Sequence, residues 1–173
     1  MIRSPHEQIL IAGIGNIFFG DDAFGVEVAN ALSSVKLPRE VVIVDFGIRG
    51  LDLAYALLEP WSAVVVIDAI SRSGEPGEIY LLEPDDDPGI SASFDPHGMN
   101  PLQVLTAARS IGGITARIYI VGCEPQSFGE ELEGRMGLSP IVQQSVPKAV
   151  RAVQHLVAEL TDCAAHAPAT GAH

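Results

Sequence analysis

Short apolar runs of strand length alternate with helical segments along almost the whole chain, and this alternation limits the folds available to it. The predicted strands cover 8–12, 40–45, 63–67, 78–82 and 116–121. The predicted helices cover 24–35, 51–58, 102–111 and the segment that Ser139-Pro140 opens. Such alternation is typical of a mainly parallel sheet with helices on both faces. We therefore predict an α/β fold with about five strands.

The run at 63–67, Ala-Val-Val-Val-Ile, is the most apolar of the five, so we predict a central parallel strand that is covered on both faces. Its neighbours are expected to be the strands that lead to Asn16 and Asp45. Only a short turn precedes residues 78–82, which favours an antiparallel strand there. In the last helix, Pro147 is expected to cause a kink.

The length of 173 residues favours one domain, which we place at residues 1–163, with a flexible, low-complexity tail at 164–173. No run approaches the roughly 20 apolar residues of a membrane span, and the N-terminus lacks the pattern of a signal peptide. The two cysteines, Cys123 and Cys163, form no spacing motif. We therefore expect a cytoplasmic protein that is not bound to a membrane.

Acidic residues outnumber basic ones by 22 to 10, which gives a formal net charge of -12. A surface of this sign repels phosphate backbones, so we expect no nucleic-acid partner. It also favours a basic surface on a protein partner, although solubility alone would account for the charge. We expect the chain to act as a monomer.

Acidic side chains follow several of the predicted strands. The first strand leads through 13–16 to Asp21 and Asp22, the next two end at Asp45 and Asp68, and Glu124 follows the last. Ligands of such sheets bind at the carboxyl ends of the strands. We therefore expect these carboxylates to converge on one edge, where together they raise one another's pKa or require a cation.

Helix capping is the alternative role for some of these carboxylates. Asp45 is equally well explained as the N-cap of the following helix. One of Asp21 and Asp22 is expected to cap the next helix while the other faces the crevice. Capping explains Asp68 less well, because no helix start follows it.

A segment rich in Asp, Pro, Gly and Ser spans 83–101 and is predicted to be a long loop, a kind of segment that is often functional or disordered. It contains His97, which by position alone is either an ordinary surface histidine or a functional one. Two carboxylates and one imidazole form a ligand set suited to nickel, zinc or iron(II). The same three groups would equally serve general acid–base catalysis.

Six short blocks resemble the signatures of the hydrogenase maturation proteases. Residues 13–26 (GIGNIFFGDDAFGV) resemble the N-terminal signature of that family. The others are 45–50 (DFGIRG), 67–70 (IDAI), 96–99 (PHGM), 121–125 (VGCEP) and 137–140 (GLSP). Each block alone is weak evidence, whereas six in this order and spacing are specific. The resemblance covers about residues 9–158.

The resemblance implies a three-layer sandwich around a twisted, mainly parallel sheet. It implies an aspartic-type endopeptidase that removes the C-terminal extension of a nickel–iron hydrogenase large-subunit precursor after nickel insertion. It assigns Asp22, Asp68 and His97 as the catalytic and metal-binding residues. The first of these is often Glu in the family, so the shorter Asp22 departs from the usual pattern.

The implied cofactor is nickel, carried by the precursor and not permanently bound to the enzyme. Three protein ligands leave coordination positions for cysteines of the substrate, so that binding depends on the presence of nickel. Two mechanisms are then open. The nickel polarises the scissile carbonyl or activates a water, or Asp22 or Asp68 acts as a general base, as in carboxylate proteases.

Two other functions fit parts of the sequence. Gly13 and Gly15 after a strand, with Asp45 at the end of the next strand, mimic a dinucleotide-binding fingerprint, but Phe18 stands where the third glycine is required. A non-catalytic chaperone that binds the nickel-loaded precursor without cutting it would use the same residues as the protease.

Overall fold

The computed structural model describes residues 8–84, 100–128 and 136–165. Its strands are β1 (Ile9–Ile14), β2 (Val41–Gly47), β3 (Ala63–Ala69), β4 (Ile79–Leu82) and β5 (Arg117–Cys123). Its α-helices are α1 (Phe24–Leu32), α2 (Gly50–Ala56), α3 (Pro101–Ile111), α4 (Pro140–Gln143) and α5 (Val146–Ala165). A short 3₁₀ turn, Gly20–Ala23, precedes α1.

The five strands form one sheet in the order β2-β1-β3-β5-β4. β1, β2, β3 and β5 run parallel, and β4 pairs antiparallel with β5. The central strand is β3, and all of its residues are buried. This topology confirms the mainly parallel sheet, the central strand at 63–67 and the antiparallel strand at 78–82, whose short connection leaves no room for a crossover helix.

The prediction of the two neighbours of β3 is right for one strand and wrong for the other. β1, which leads to Asn16, lies beside β3, but the second neighbour is β5 and not β2. β2 pairs with the far side of β1, where Asp45 lies opposite Gly13, and Gly13 in turn lies opposite Ile67 of β3. Strand order depends on where each crossover helix packs, and the local apolar pattern does not encode that.

Helices cover both faces of the sheet and complete a three-layer sandwich. α1 and α5 pack on one face, in the same core as Ile11 and Val65. α2 and α3 pack on the other, in the same core as Leu10 and Val64. Because successive residues of a strand point to opposite faces, the buried strands β1 and β3 contribute to both cores at once.

Two helices begin where local chemistry favours a start. The side chain of Asn100 caps α3 by accepting a hydrogen bond of 2.8 Å from the amide of Leu102. Pro101 occupies the first turn of α3, where its missing N–H costs nothing. Pro140 begins α4 directly after Ser139, which confirms that predicted helix start.

The predicted kink at Pro147 is wrong. α4 ends at Gln143, and Pro147 is the second residue of the separate helix α5. In the first turn of a helix the backbone nitrogen has no intrahelical acceptor, so a proline there leaves the hydrogen-bond ladder intact.

Two parts of the predicted organisation, the C-terminal tail and the long loop, lie partly outside the described residues. α5 runs to Ala165, and residues 166–173 are not described, so the domain boundary after residue 163 stays a prediction. Most of the predicted long loop, 85–99, also lies outside the described ranges. None of the helices in those ranges combines the length and the apolar character that crossing a membrane requires.

Candidate active site

The crevice between the carboxyl ends of β1 and β3 is the topological switch point of the sheet. From β1 the chain passes through α1 to β2 on one side, and it returns through α2 to β3 on the other side. Ligands of open α/β sheets bind in the crevice where two such connections diverge. Three of the predicted carboxylates, Asp22, Asp45 and Asp68, are carried by the segments at this edge.

The 3₁₀ turn Gly20–Ala23 brings Asp22 to the crevice by packing against β3. Two glycines make this close packing possible. Gly15 has a φ of +136°, and a Cβ on it would overlap the carbonyl oxygen of Asp22. A Cβ on Gly25 would overlap backbone carbonyl oxygens of both β1 and β3. The glycines of the first sequence block therefore allow the backbone around Asp22 to lie directly on the ends of two strands.

The carboxylate of the half-buried Asp22 is oriented by the loop that follows β1. Its Oδ2 accepts a hydrogen bond of 2.8 Å from the backbone amide of Asn16. The Asn16 side chain in turn accepts a hydrogen bond of 3.0 Å from the amide of Phe18, which closes the loop on itself. α1 follows Ala23, which provides no side-chain cap, so Asp22 belongs to the loop and not to the helix start.

Asp68 is held by the central strand. Its side chain is buried, with 5% of the residue surface exposed. Oδ1 accepts a hydrogen bond of 2.8 Å from the amide of Ala69, and the backbone of Asp68 pairs with Gly122 of β5. β3 is paired with β1 up to Ile67 and with β5 through Asp68, so the backbone that carries this carboxylate is held in the sheet.

The third predicted ligand, His97, lies outside the described residues. Within the described ranges, no three side chains among His, Cys, Asp and Glu are grouped closely enough to hold a metal ion. Asp22 and Asp68 contribute hard oxygen donors that suit a divalent cation, but two carboxylates need a further donor to select nickel. An imidazole would supply that donor, so the assignment of all three residues stays a prediction.

Asp21 has a different role from its neighbour Asp22. It is fully buried, and its Oδ2 accepts hydrogen bonds from the amides of Gln126 and Ser127 at 2.8 and 3.1 Å and from the hydroxyl of Ser139 at 2.9 Å. Its Oδ1 accepts from the amide of Ser139 at 2.6 Å. The prediction that one of the two aspartates caps α1 is therefore wrong, because Asp21 ties the 3₁₀ turn to the segments after β5 and before α4.

Glu124 is a buried carboxylate that organises the connection after β3. It accepts hydrogen bonds from the hydroxyls of Ser71 and Tyr80 at 3.0 and 2.8 Å and from the amide of Arg72 at 2.7 Å. Burial alone would raise the pKa of Glu124, but these bonds and one from the amide of Gly74 together lower it. These hydrogen bonds give Glu124 a structural role, in which it holds the β3–β4 loop.

Asp45 caps no helix. α2 begins at Gly50, and neither Asp45 nor Arg49, the residue before the helix, provides a side-chain cap. The alternative of an N-cap is therefore wrong for Asp45. The residue is exposed, and it lines a cleft of about 470 Å³ that also contains Asn16.

The connection from β1 to α1 does not match a dinucleotide-binding turn. In that fingerprint the glycine-rich turn opens the helix directly. Here residues 15–23, including the 3₁₀ turn, separate β1 from α1. Gly15 is required for the approach of Asp22, so the dinucleotide alternative loses the feature that suggested it.

The chain is similar to one family of known sequences. The model of one protein family, described as hydrogenase maturation protease, matches residues 26–156. The chain is also 30% identical over 148 residues to the hydrogenase 2 maturation protease of Escherichia coli (strain K12), which covers 84% of this chain and 88% of that protein.

Solved structures give the same result. The hydrogenase maturating endopeptidase HybD from Escherichia coli superposes with a TM-score of 0.70 and 31% identity, covering 88% of this chain and 93% of that one. The NiFe hydrogenase maturation protease HycI from Thermococcus kodakarensis KOD1 superposes with a TM-score of 0.62 and 28% identity, covering 90% and 93%. These similarities span most of both chains and confirm the predicted α/β fold.

Proposed function

The chain belongs to the hydrogenase maturation protease family and is a peptidase, and from this premise we propose that it removes the C-terminal extension of a nickel-loaded large-subunit precursor of a nickel–iron hydrogenase. The observation that carries the proposal is the packing of the 3₁₀ turn Gly20–Ala23, which contains Asp22, against β3, the strand that contains Asp68. This packing supports a shared site for two carboxylates at the switch point of the sheet.

In the proposed complex, the precursor presents its nickel to Asp22, Asp68 and His97. The ion belongs to the substrate, and the protease supplies oxygen and nitrogen donors that complete its coordination. A precursor without nickel lacks these bonds and leaves the carboxylates without a cation to offset their mutual repulsion. A difference of only about 2.7 kcal/mol between the two forms would discriminate about a hundredfold.

Peptide hydrolysis at this site requires a group that takes a proton from water and delivers one to the leaving amine. We assign that role to Asp68, because β3 and the Ala69 amide hold its carboxylate in one position. The water oxygen forms a bond to the scissile carbonyl carbon while its proton passes to Asp68. The carbon–nitrogen bond then breaks, and the proton passes to the new amine.

The test is a cleavage assay with the purified protein and two preparations of the same precursor, one loaded with nickel and one without. We expect shortening of the loaded precursor alone, seen by mass spectrometry as loss of the C-terminal peptide. Tight binding of the loaded precursor without any shortening would contradict the proposal and favour the non-catalytic chaperone. Equal shortening of both preparations would contradict the role assigned to nickel.

We also propose that the chain acts as a monomer in the cytoplasm, without a nucleic-acid or membrane partner. The net charge of -12 supports the absence of a nucleic-acid partner. Light scattering behind size exclusion is expected to give about 18 kDa, since the mass of the chain is 18.3 kDa. A mass of twice that value would contradict the monomer.

A further inference from the structure

A cleft lies beside Asp22, at the carboxyl ends of β1 and β2. It has a volume of about 470 Å³ and is lined by residues of the β1–α1 loop, the first turn of α1, the end of β2 and the β2–α2 connection. Asn16 belongs to this lining, and its amide is the donor that binds Oδ2 of Asp22. The cleft therefore adjoins the proposed site.

Large apolar side chains stand exposed in the cleft. Ile17 is 40% exposed, Phe18 is 55% exposed and Ile48 is 69% exposed. Single exposed apolar residues are common on protein surfaces, but a group of them around one cleft is typical of a binding site. Their contact with an apolar ligand side chain would remove that surface from water.

The two charged side chains of the cleft, Arg49 and Asp45, differ in whether they have partners within the protein. The guanidinium of Arg49 donates to the backbone carbonyls of Asp45 and Phe46, and it lies 3.5 Å from the carboxylate of Asp52. The exposed carboxylate of Asp45 has no hydrogen bond or ion pair with any residue of the described ranges. The charge left for a ligand is therefore negative, and it is complementary to a cationic group.

The cleft and the proposed site lie a short distance apart at the edge of the sheet. Asp45 lies opposite Gly13, and Gly13 lies opposite Ile67, the residue before Asp68. Two strand spacings separate β2 from β3, which is roughly 10 Å. An extended peptide covers that distance in about three residues.

We propose that this cleft binds the extended precursor segment beside the scissile bond. An apolar side chain of that segment packs against Ile17, Phe18 and Ile48, and a basic side chain two or three residues from the scissile bond pairs with Asp45. This inference rests on the proposed function and names the part of the substrate that the protease reads besides the nickel.

The first test measures kcat and KM with the nickel-loaded precursor. Ile48→Ser and Phe18→Ser are each expected to raise KM by about tenfold, because an apolar contact worth about 1.4 kcal/mol is lost. We expect kcat to change by less than about twofold, since neither residue contacts the reacting atoms. Ile111→Ser removes a similarly exposed side chain (46%) at the end of α3, which is remote from the cleft, and serves as the matched control.

The second test reverses the charge. Asp45→Lys is expected to raise KM for the natural precursor by at least about tenfold. Replacing the basic residues near the scissile bond of the precursor by Glu is expected to weaken cleavage by the natural protease and to restore it with Asp45→Lys. Glu59→Lys, an exposed charge reversal after α2, provides the control for the same change of two charge units.

The outcomes distinguish a failure of the proposed function from a failure of the cleft assignment. If the unaltered protease cleaves no nickel-loaded precursor, the proposed function itself is overturned. If it cleaves the precursor while Ile48→Ser, Phe18→Ser and Asp45→Lys all keep the natural KM, the function stands and the assignment of the cleft is overturned. If each variant melts at the same midpoint as the natural protein, unfolding is excluded as the cause of a raised KM.

Discussion

The backbone amide of Asn16 donates a hydrogen bond of 2.8 Å to Oδ2 of Asp22, which lies six positions later in the chain. One loop thereby holds both a wall of the cleft and a carboxylate of the proposed site. A displacement of this loop changes the position of the cleft and the direction of the carboxylate together. Substrate binding and catalysis are therefore expected to be sensitive to the same backbone.

Gly15→Ala is expected to disrupt this loop. The new Cβ would overlap the carbonyl oxygen of Asp22, and alanine disfavours the φ of +136°. We expect a loss of at least about 3 kcal/mol in the free energy of unfolding, together with loss of precursor cleavage. Gly113→Ala is the matched control, because its φ of +89° is similarly unfavourable but nothing lies within 4 Å of the new atom.

The control is expected to lose only about 1 kcal/mol, which is the conformational part of the effect. Urea unfolding of the two variants measures the difference. Equal losses in the free energy of unfolding for Gly15→Ala and Gly113→Ala would contradict the close packing of Gly15 against the 3₁₀ turn that contains Asp22.

Asp21→Asn is expected to destabilise the fold by about 3 kcal/mol. The buried carboxylate accepts four hydrogen bonds, and an amide NH₂ in its place would face the donors of Gln126, Ser127 or Ser139. Ser139→Ala removes only the hydroxyl donor and is expected to cost about 1 kcal/mol. Chemical denaturation compares the two, and an Asp21→Asn protein as stable as the natural one would contradict the network.

The carboxylate of Glu124 is expected to make the fold sensitive to acid. Its pKa is lowered in the folded protein, because the hydrogen bonds of Arg72, Tyr80, Ser71 and Gly74 outweigh the effect of burial. The corresponding stability is fully present above the pKa of the unfolded carboxyl, about 4.3, and is lost as the pH falls through the folded pKa.

Glu124→Gln removes this titration. We expect the variant to be less stable than the natural protein at pH 6, and we expect the gap in melting temperature to narrow between pH 6 and pH 3. Tyr80→Phe deletes one donor to Glu124 and is expected to give a smaller effect of the same sign. A gap that stays constant down to pH 3 would show that Glu124 does not contribute to acid sensitivity.

Cys123 is expected to resist alkylation in the folded protein. Burial above all, followed by the carboxylates of Asp21 and Glu124, raises the pKa of this thiol to about 12. Iodoacetamide at pH 8 should leave the peptide that contains Cys123 unmodified for hours without denaturant and modify it fully in urea. Peptide mapping provides the measurement, and rapid modification of the native protein would contradict the burial of this side chain.

Much of the fold follows from local patterns. The five apolar runs predict the strands because parallel strands that are buried on both faces need continuous apolar sequence, and the short turn before Ile79 predicts the antiparallel β4. The order of strands around β3 does not follow, because it depends on the packing of α1 and α2. For that reason the sequence places Asp45 one strand too close to Asp68.

The roles of individual carboxylates are less predictable. Asp21 and Asp22 are adjacent in sequence, yet a 3₁₀ turn directs them to different partners, and those of Asp21 lie more than 100 residues away at Gln126, Ser127 and Ser139. The role of Glu124 similarly depends on distant groups. The exposed apolar residues of the cleft do carry a local signal, since Ile17 and Phe18 lie in a loop, where polar residues are more usual.

The most direct test of the proposed activity is Asp68→Asn. The Asn side-chain oxygen can still accept the hydrogen bond from the Ala69 amide, so the fold is expected to be retained, while the negative charge needed for nickel and for proton transfer is lost. Glu59→Gln, exposed and remote, controls for the change in net charge. The measurement is the fraction of nickel-loaded precursor shortened, beside a thermal melt of each protein. We expect Asp68→Asn to melt near the natural temperature and to leave the precursor uncut, with Glu59→Gln cutting normally; full cleavage by a folded Asp68→Asn protein would contradict the assignment of Asp68.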